Sequence, residues 1–155
     1  MDRGVSLLLV GPLDPKFEPT RLRALLARED VQWVGPQPFE RLPGYMALID
    51  VGLVPYTSSA FNLSSFPLKT LEYLSAGLPV VSTNLPATRW LDTKLVDIAA
   101  DPDSFGAVAA RLAQSRWNAD LIDDRRSFAA QHDWSERAAA WADLLGIPKG
   151  MGSSS

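Results

Sequence analysis

Leu68, Leu71 and Leu74 recur at helical spacing and are followed at once by Gly77, Pro79 and the apolar pair Val80-Val81. Residues three and four apart share one helix face, so these leucines form a stripe that needs a core to cover it. Gly77 suits the left-handed position that ends a helix, and Pro79 prevents the helix from continuing. Val80-Val81 then reads as a short buried strand. The same alternation runs along the chain. Val5 to Val10, Val31 to Val34, Val51 to Tyr56, residues 79–83 and Leu95 to Ile98 read as strands. Helical spacing covers Pro19 to Arg28, Leu42 to Ile49, residues 66–76, Pro86 to Leu91, a stretch opened by Asp101-Pro102-Asp103, and residues 119–131 and 135–145. Residues 57–65 read as a polar loop. Short apolar strands alternating with helices predict an α/β fold, a three-layer parallel sheet with helices on both faces.

The chain has 155 residues, enough for one domain with a real core. Residues 1–149 are expected to form it, and Gly-Met-Gly-Ser-Ser-Ser at 150–155 reads as a disordered tail. A net charge of −3 argues against nucleic acid as a partner, since such binders carry a basic face. With no cysteine there are no disulfides, thiolate metal sites or cysteine nucleophiles, and a cytoplasmic location is expected. No apolar run reaches the length of a membrane span, and Ser6 to Val10 is too short for the core of a signal peptide.

Lys69 breaks the local logic. Pro67 suits the first helical turn, and Ser64 or Ser65 is placed to cap it. A lysine there opposes the positive end of the helix dipole, an unfavourable term of about 0.3–1 kcal/mol. Two readings follow. Lys69 either pairs with Glu72, three residues on, or joins the free amides in holding an anion. Placement favours the anion, because ligands of parallel sheets bind at the carboxyl ends of strands. The loops Gly11 to Phe17, Gly35 to Arg41 and Tyr56 to Lys69 lie on that edge, and the last leads into this helix.

Other motifs read as structure. His132 is the only histidine and stands before Asp133 and Trp134 at a helix start. Asp97, Asp101 and Asp103 suit capping better than metal binding, and Asp123-Asp124-Arg125-Arg126 reads as a solvated helix face. Trp134 and Trp141 are seven apart, one helical face, so core or interdomain packing is expected; Trp33 is expected in the sheet core. Trp90 and Trp117 stay open between packing and sugar stacking. Gly11-Pro12 lacks the further glycines of a dinucleotide loop, and no Walker lysine loop is present.

The pattern Pro67-x-Lys69-x-x-Glu72-Tyr73-Leu74-x-Ala76-Gly77-x-Pro79-Val80-Val81 resembles the donor-binding motif of GT-B glycosyltransferases, closest to the retaining, family-four-type group. Leu8 to Pro12, Val31 to Gly35, Asp50 to Tyr56 and His132 to Ser135 with Arg137 resemble flanking pieces in the family's order. The resemblance implies the donor-binding, Rossmann-like half of such an enzyme. Lys69 and the amides after Pro67 and Leu68 would meet a diphosphate, and Glu72 would accept bonds from the ribose hydroxyls. Ser64, Ser65 and Phe66 would lie near the transferred sugar, Gly35, Pro36 and Gln37 near the base, and Gly11 beside them. Ser64 stands where the family often has a second glutamate. The expected function is transfer of a hexose from a UDP or GDP sugar, with no metal cofactor. The acceptor would be held by an N-terminal domain that this chain does not contain. The first strand–helix unit of the donor half is expected to be missing as well, which would leave an open central sheet edge prone to self-association. The alternatives are a non-catalytic α/β module binding a nucleotide or a protein, and a receiver-like domain, which Asp50 disfavours by preceding its strand.

Overall fold

The computed structural model describes residues 4–14, 19–66, 68–114 and 119–147. Its strands are β1 (Leu7–Leu9), β2 (Val31–Trp33), β3 (Gly52–Val54), β4 (Val80–Thr83) and β5 (Val96–Ala99). Its helices are α1 (Pro19–Leu26), α2 (Leu42–Met46), α3 (Ala60–Ser64), α4 (Leu68–Ser75), α5 (Pro86–Trp90), α6 (Pro102–Gln114), α7 (Ala119–Ala130) and α8 (Trp134–Leu144), with a 3-10 turn at Phe39–Arg41. Every strand pairing is parallel, as expected, but the strands form two sheets, β1-β2 and β3-β4-β5. Leu7 aligns with Val31 in the first, and Val80 with both Gly52 and Val96 in the second.

The second sheet shows the three layers directly. Successive residues of a strand point to opposite faces. Val54 and Val80 accordingly pack with Leu71 and Leu74 of α4 and Ala129 of α7, whereas Val81 and half-buried Leu53 pack with Leu112 of α6. Leu74, Leu78, Val80 and Val81 are completely buried.

The end of α4 explains two glycines. The amide of Leu78 donates to Tyr73 O at 3.0 Å and that of Gly77 to Leu74 O at 2.9 Å, a Schellman closure with Gly77 at φ +84°. A Cβ on Gly77 would also stand 2.7 Å from Ile122 of α7. Arg125 of α7 reaches the same turn, its guanidinium donating to Gly77 O at 3.1 Å, so this residue faces inward rather than lying on a solvated face. Burial lowers its pKa against a smaller opposing effect of Asp97. At β3, a Cβ on Gly52 would lie 2.4 Å from the Tyr73 ring, which fixes how closely α4 approaches the sheet.

Several expectations change. Residues 57–65 are not wholly loop: Ser59 caps α3 by accepting from the Asn62 amide at 3.2 Å. Trp33 is 42% exposed because β2 is an edge strand, and its indole donates to Gly11 O at 2.9 Å. Trp134 and Trp141 share a face of α8 but are 71% and 64% exposed, so no core among the described residues covers them. Asp101 caps α6 by accepting from the Ser104 amide at 2.8 Å, and Asp97 pairs with Arg111 at 2.7 Å. Among the described residues, no group of three or more acidic or histidine side chains is placed to hold a metal. Asp133 caps α8, whereas His132 Nδ1 lies 3.0 Å from Phe128 O in the last turn of α7, so the His132 ring closes the preceding helix rather than starting the next. Pro67, Trp117, Lys16 and Phe17 of the first loop, and the 150–155 tail lie outside the described residues.

Candidate functional site

The carboxyl end of β3 leads through Tyr56 and α3 to the start of α4. The hydroxyl of Thr83, at the end of β4, donates to Tyr56 O at 2.7 Å and holds this connection against the sheet. Asn62 donates to Thr57 O at 2.9 Å and braces the loop before α3. The Ser65 hydroxyl donates back to Phe61 O at 2.7 Å and so helps close α3. Ser64 is exposed on the last turn of α3.

These elements enclose a small concavity lined by Tyr56, Asn62, Ser65, Phe66, Lys69 and Thr70 on one side and by Ala87 and Thr88 of α5 on the other. Its enclosed volume of about 10 Å³ is close to that of one water. Lys69 is exposed at its edge, and Leu68 beside it is half exposed. Neither Lys69 nor Glu72 makes an ion pair among the described residues, so the pairing between them allowed by their spacing does not form. Thr70 is completely buried, and its hydroxyl has no hydrogen-bond partner among the described residues. A buried hydroxyl left in that state costs about 1–3 kcal/mol, which a ligand or water oxygen would offset.

Glu72 lies one turn along α4 and is half-buried. Burial first, and then the Glu72 carboxylate, raise the pKa of both Tyr56 and Tyr73. Glu72 is thus a half-buried carboxylate near enough to both phenols to act on them.

Phe66, just ahead of α4, is held from outside. The Arg137 guanidinium of α8 lies 3.9 Å from its ring centroid, and Trp90 meets it edge-on at 5.6 Å. His132 stacks in turn on Phe128 at 4.7 Å and meets Trp90 at 6.0 Å. The α7–α8 corner therefore braces the entry to α4.

A second group forms at the carboxyl ends of β1 and β2. The Gly11 amide donates to Gly35 O at 3.0 Å, Val34 N to Leu9 O at 3.0 Å, and Gln37 Nε2 to Val34 O at 2.9 Å. Gly11 and Gly35 both have positive φ, 135° and 71°, and Pro36 follows directly. The structure thus gathers Ser65, Phe66 and Lys69 around one concavity, sets Glu72 a turn away, and ties Gly11, Gly35 and Gln37 into a separate cluster. Thr70, Tyr56, Asn62 and Thr88 were not singled out from sequence. The available signal was Thr70, a polar residue adjoining the buried leucine stripe.

A parallel Rossmann-like α/β half with its polar features at strand ends and at one helix start is the architecture of a GT-B glycosyltransferase domain. The family model for "Glycosyl transferases group 1" matches residues 1–115, and the chain belongs to that family. It is 35% identical over 133 residues to TuaH of Bacillus subtilis strain 168, described as a candidate teichuronic acid biosynthesis glycosyltransferase; the match covers 84% of this chain and 33% of that protein. It is 32% identical over 136 residues to D-inositol 3-phosphate glycosyltransferase 2 of Catenulispora acidiphila, covering 82% of this chain and 31% of that protein. The chain thus spans about a third of the length of these curated relatives. Among the described residues, no helix is long and apolar enough to cross a membrane.

Proposed function

We propose that this chain is the donor-binding part of a glycosyltransferase that takes a hexose from a UDP or GDP sugar. The acceptor is held by a part of the enzyme outside these residues, and the chain works in the cytoplasm. The observation that carries the reading is Lys69, an exposed cation in the first turn of α4 with no anionic partner among the described residues, beside the buried and unpartnered hydroxyl of Thr70. An anion at this helix start turns the lysine–dipole conflict into attraction, since free amides and ammonium then converge on it. The diphosphate charge is met by these groups rather than by a metal. Glu72 accepts from the ribose hydroxyls. Phe66, Ser64 and Ser65 border the sugar, and the Gly11–Gly35–Pro36–Gln37 cluster lies near the base.

Within this reading Lys69 supports departure of the diphosphate, whose negative charge grows as the glycosidic bond to the sugar breaks. The test is titration of UDP and GDP into the chain and its Lys69→Met variant. Loss of a hydrogen bond to a charged group is worth about 1.5–3 kcal/mol, so the dissociation constant should rise roughly tenfold or more. Equal affinity in the variant would remove Lys69 from the site.

A further inference from the structure

The buried polar side chains among the described residues are Thr70 of α4, Ser82 of β4 and Thr88 of α5, at 0%, 0% and 4% exposure. Ser82 Oγ donates to Thr83 O at 3.0 Å and lies 3.0 Å from Thr88 Oγ1. A hydroxyl carries one hydrogen. With that of Ser82 directed to Thr83 O, Thr88 is the donor to Ser82, and its remaining capacity is to accept. Thr70 has neither donor nor acceptor among the described residues. Thr70 and Thr88 line the same concavity of about 10 Å³, whose other walls include the apolar Val54, Phe66, Leu85 and Ala87. An oxygen that accepts from Thr70 and donates to Thr88 satisfies both. A phosphate oxygen only accepts, and its charge would be costly against apolar walls, since Lys69 is exposed at the edge.

We propose that this concavity seats one neutral hydroxyl oxygen, bridging Thr70 and Thr88, so that these two threonines determine specificity by reading one hydroxyl of the transferred sugar. Water has the same donor and acceptor capacity and is the other source of that oxygen. The seat itself stands on the fold, whereas its use by a sugar rests on the donor-binding reading above. Its size fits a single oxygen, since a water needs about 10–15 Å³. Its position fits a sugar, because Lys69, proposed to meet the diphosphate, stands at the mouth and Phe66 forms part of the wall. A sugar joined to that diphosphate is tethered where one of its hydroxyls can enter. The frame is held in place, since Thr88 is bonded to Ser82 of β4, and the Thr83 hydroxyl donates to Tyr56 O at 2.7 Å on the same rim. A site built to hydrogen-bond a hydroxyl rejects an analogue without it far more strongly than an apolar pocket rejects an extra methylene, because its own polar groups are then left unpaired.

Thr70→Val keeps the shape of the side chain and removes its hydroxyl. Affinity for UDP, GDP, UDP-glucose and GDP-mannose is measured by calorimetry for the wild-type chain, Thr70→Val and Thr70→Ser, with Tm of the ligand-free chains beside it. If a sugar hydroxyl occupies the seat, Thr70→Val should weaken the nucleotide sugar about tenfold or more and leave the bare diphosphate unchanged, while Thr70→Ser, which keeps the hydroxyl, retains the affinity. If water occupies it, both kinds of ligand should bind alike to wild type and variant, yet Thr70→Val should lower the ligand-free Tm by roughly 2–4 °C. That loss should shrink in a Thr88→Val background, where the bridge is already broken. A Thr70→Val chain at least as stable as wild type, with nucleotide-sugar affinity unchanged, would overturn the proposal. So would equal weakening of diphosphate and nucleotide sugar, because a phosphate oxygen would then fill the seat. Absence of any nucleotide binding by the wild-type chain would remove the donor reading alone, and the Tm comparison would still decide for or against the seat.

Discussion

Gly52→Ala tests the packing that places α4. The added methyl would lie 2.4 Å from Cγ and Cδ2 of Tyr73 and 2.8 Å from its Cβ. These atoms lie close to the helix backbone, so α4 must retreat or Tyr73 must leave its position. Overpacking of this kind costs about 1–3 kcal/mol. Removing a strand glycine returns roughly 0.5–1 kcal/mol of chain entropy, since Gly52 has ordinary backbone angles. The net loss should be about 0.5–2 kcal/mol, or roughly 2–8 °C of Tm for a domain of this size. Gly106→Ala is the matched control. It lies inside α6 with nothing within 4 Å of its added Cβ, so it should gain up to about 1 kcal/mol from helix propensity. Thermal unfolding followed by circular dichroism should therefore move in opposite directions for the two variants. Adding Tyr73→Ala to Gly52→Ala should cost less than the sum of the single changes, because the clashing ring is gone. A Gly52→Ala chain at least as stable as wild type, or strict additivity with Tyr73→Ala, would refute the reasoning.

Other consequences follow from the same contacts. Gly77→Ala should lose more than about 1 kcal/mol in chemical denaturation, since positive φ and the approach of Ile122 both oppose a side chain. Burial and the Glu72 carboxylate raise the pKa of Tyr56 and Tyr73, so stability linked to them holds below the ordinary tyrosine pKa and falls as pH rises through their raised values. Glu72→Gln removes one cause of both shifts, and spectrophotometric titration should find both phenols ionising at lower pH; unchanged values would place Glu72 elsewhere. Arg137→Met removes the cation over Phe66 and should cost about 0.5–2 kcal/mol of stability by denaturant unfolding, with weaker nucleotide binding measured beside it.

The order of elements was legible because glycine, proline and capping residues lie beside them. Gly77 and Pro79 mark the end of α4, and Asp101-Pro102 marks the start of α6. What escaped the sequence depended on partners far along the chain. α3 is only Ala60–Ser64, too short for a period to appear in a polar stretch. Trp33 looked like core because its strand is apolar, but a tryptophan on an edge strand has one side uncovered. Trp134 and Trp141 do share a face, and spacing alone does not say what covers it. At the site, Lys69 stood out by opposing the helix dipole. Thr70 did not, because only the folded chain shows its hydroxyl buried without a partner. The division of the strands into two sheets is written in no local motif, since strand pairing is set by distant contacts, although the resemblance implies an open central sheet edge.

The central claim is that α4 holds a nucleoside diphosphate, and calorimetric titration of the chain with UDP, GDP and ADP, beside its Glu72→Ala variant, tests it most directly. The account predicts selective binding of UDP or GDP that is lost in the variant, because Glu72 supplies the ribose contact. Equal affinity of the wild-type and Glu72→Ala chains for the diphosphate that binds, or preference for ADP over both others, would contradict it.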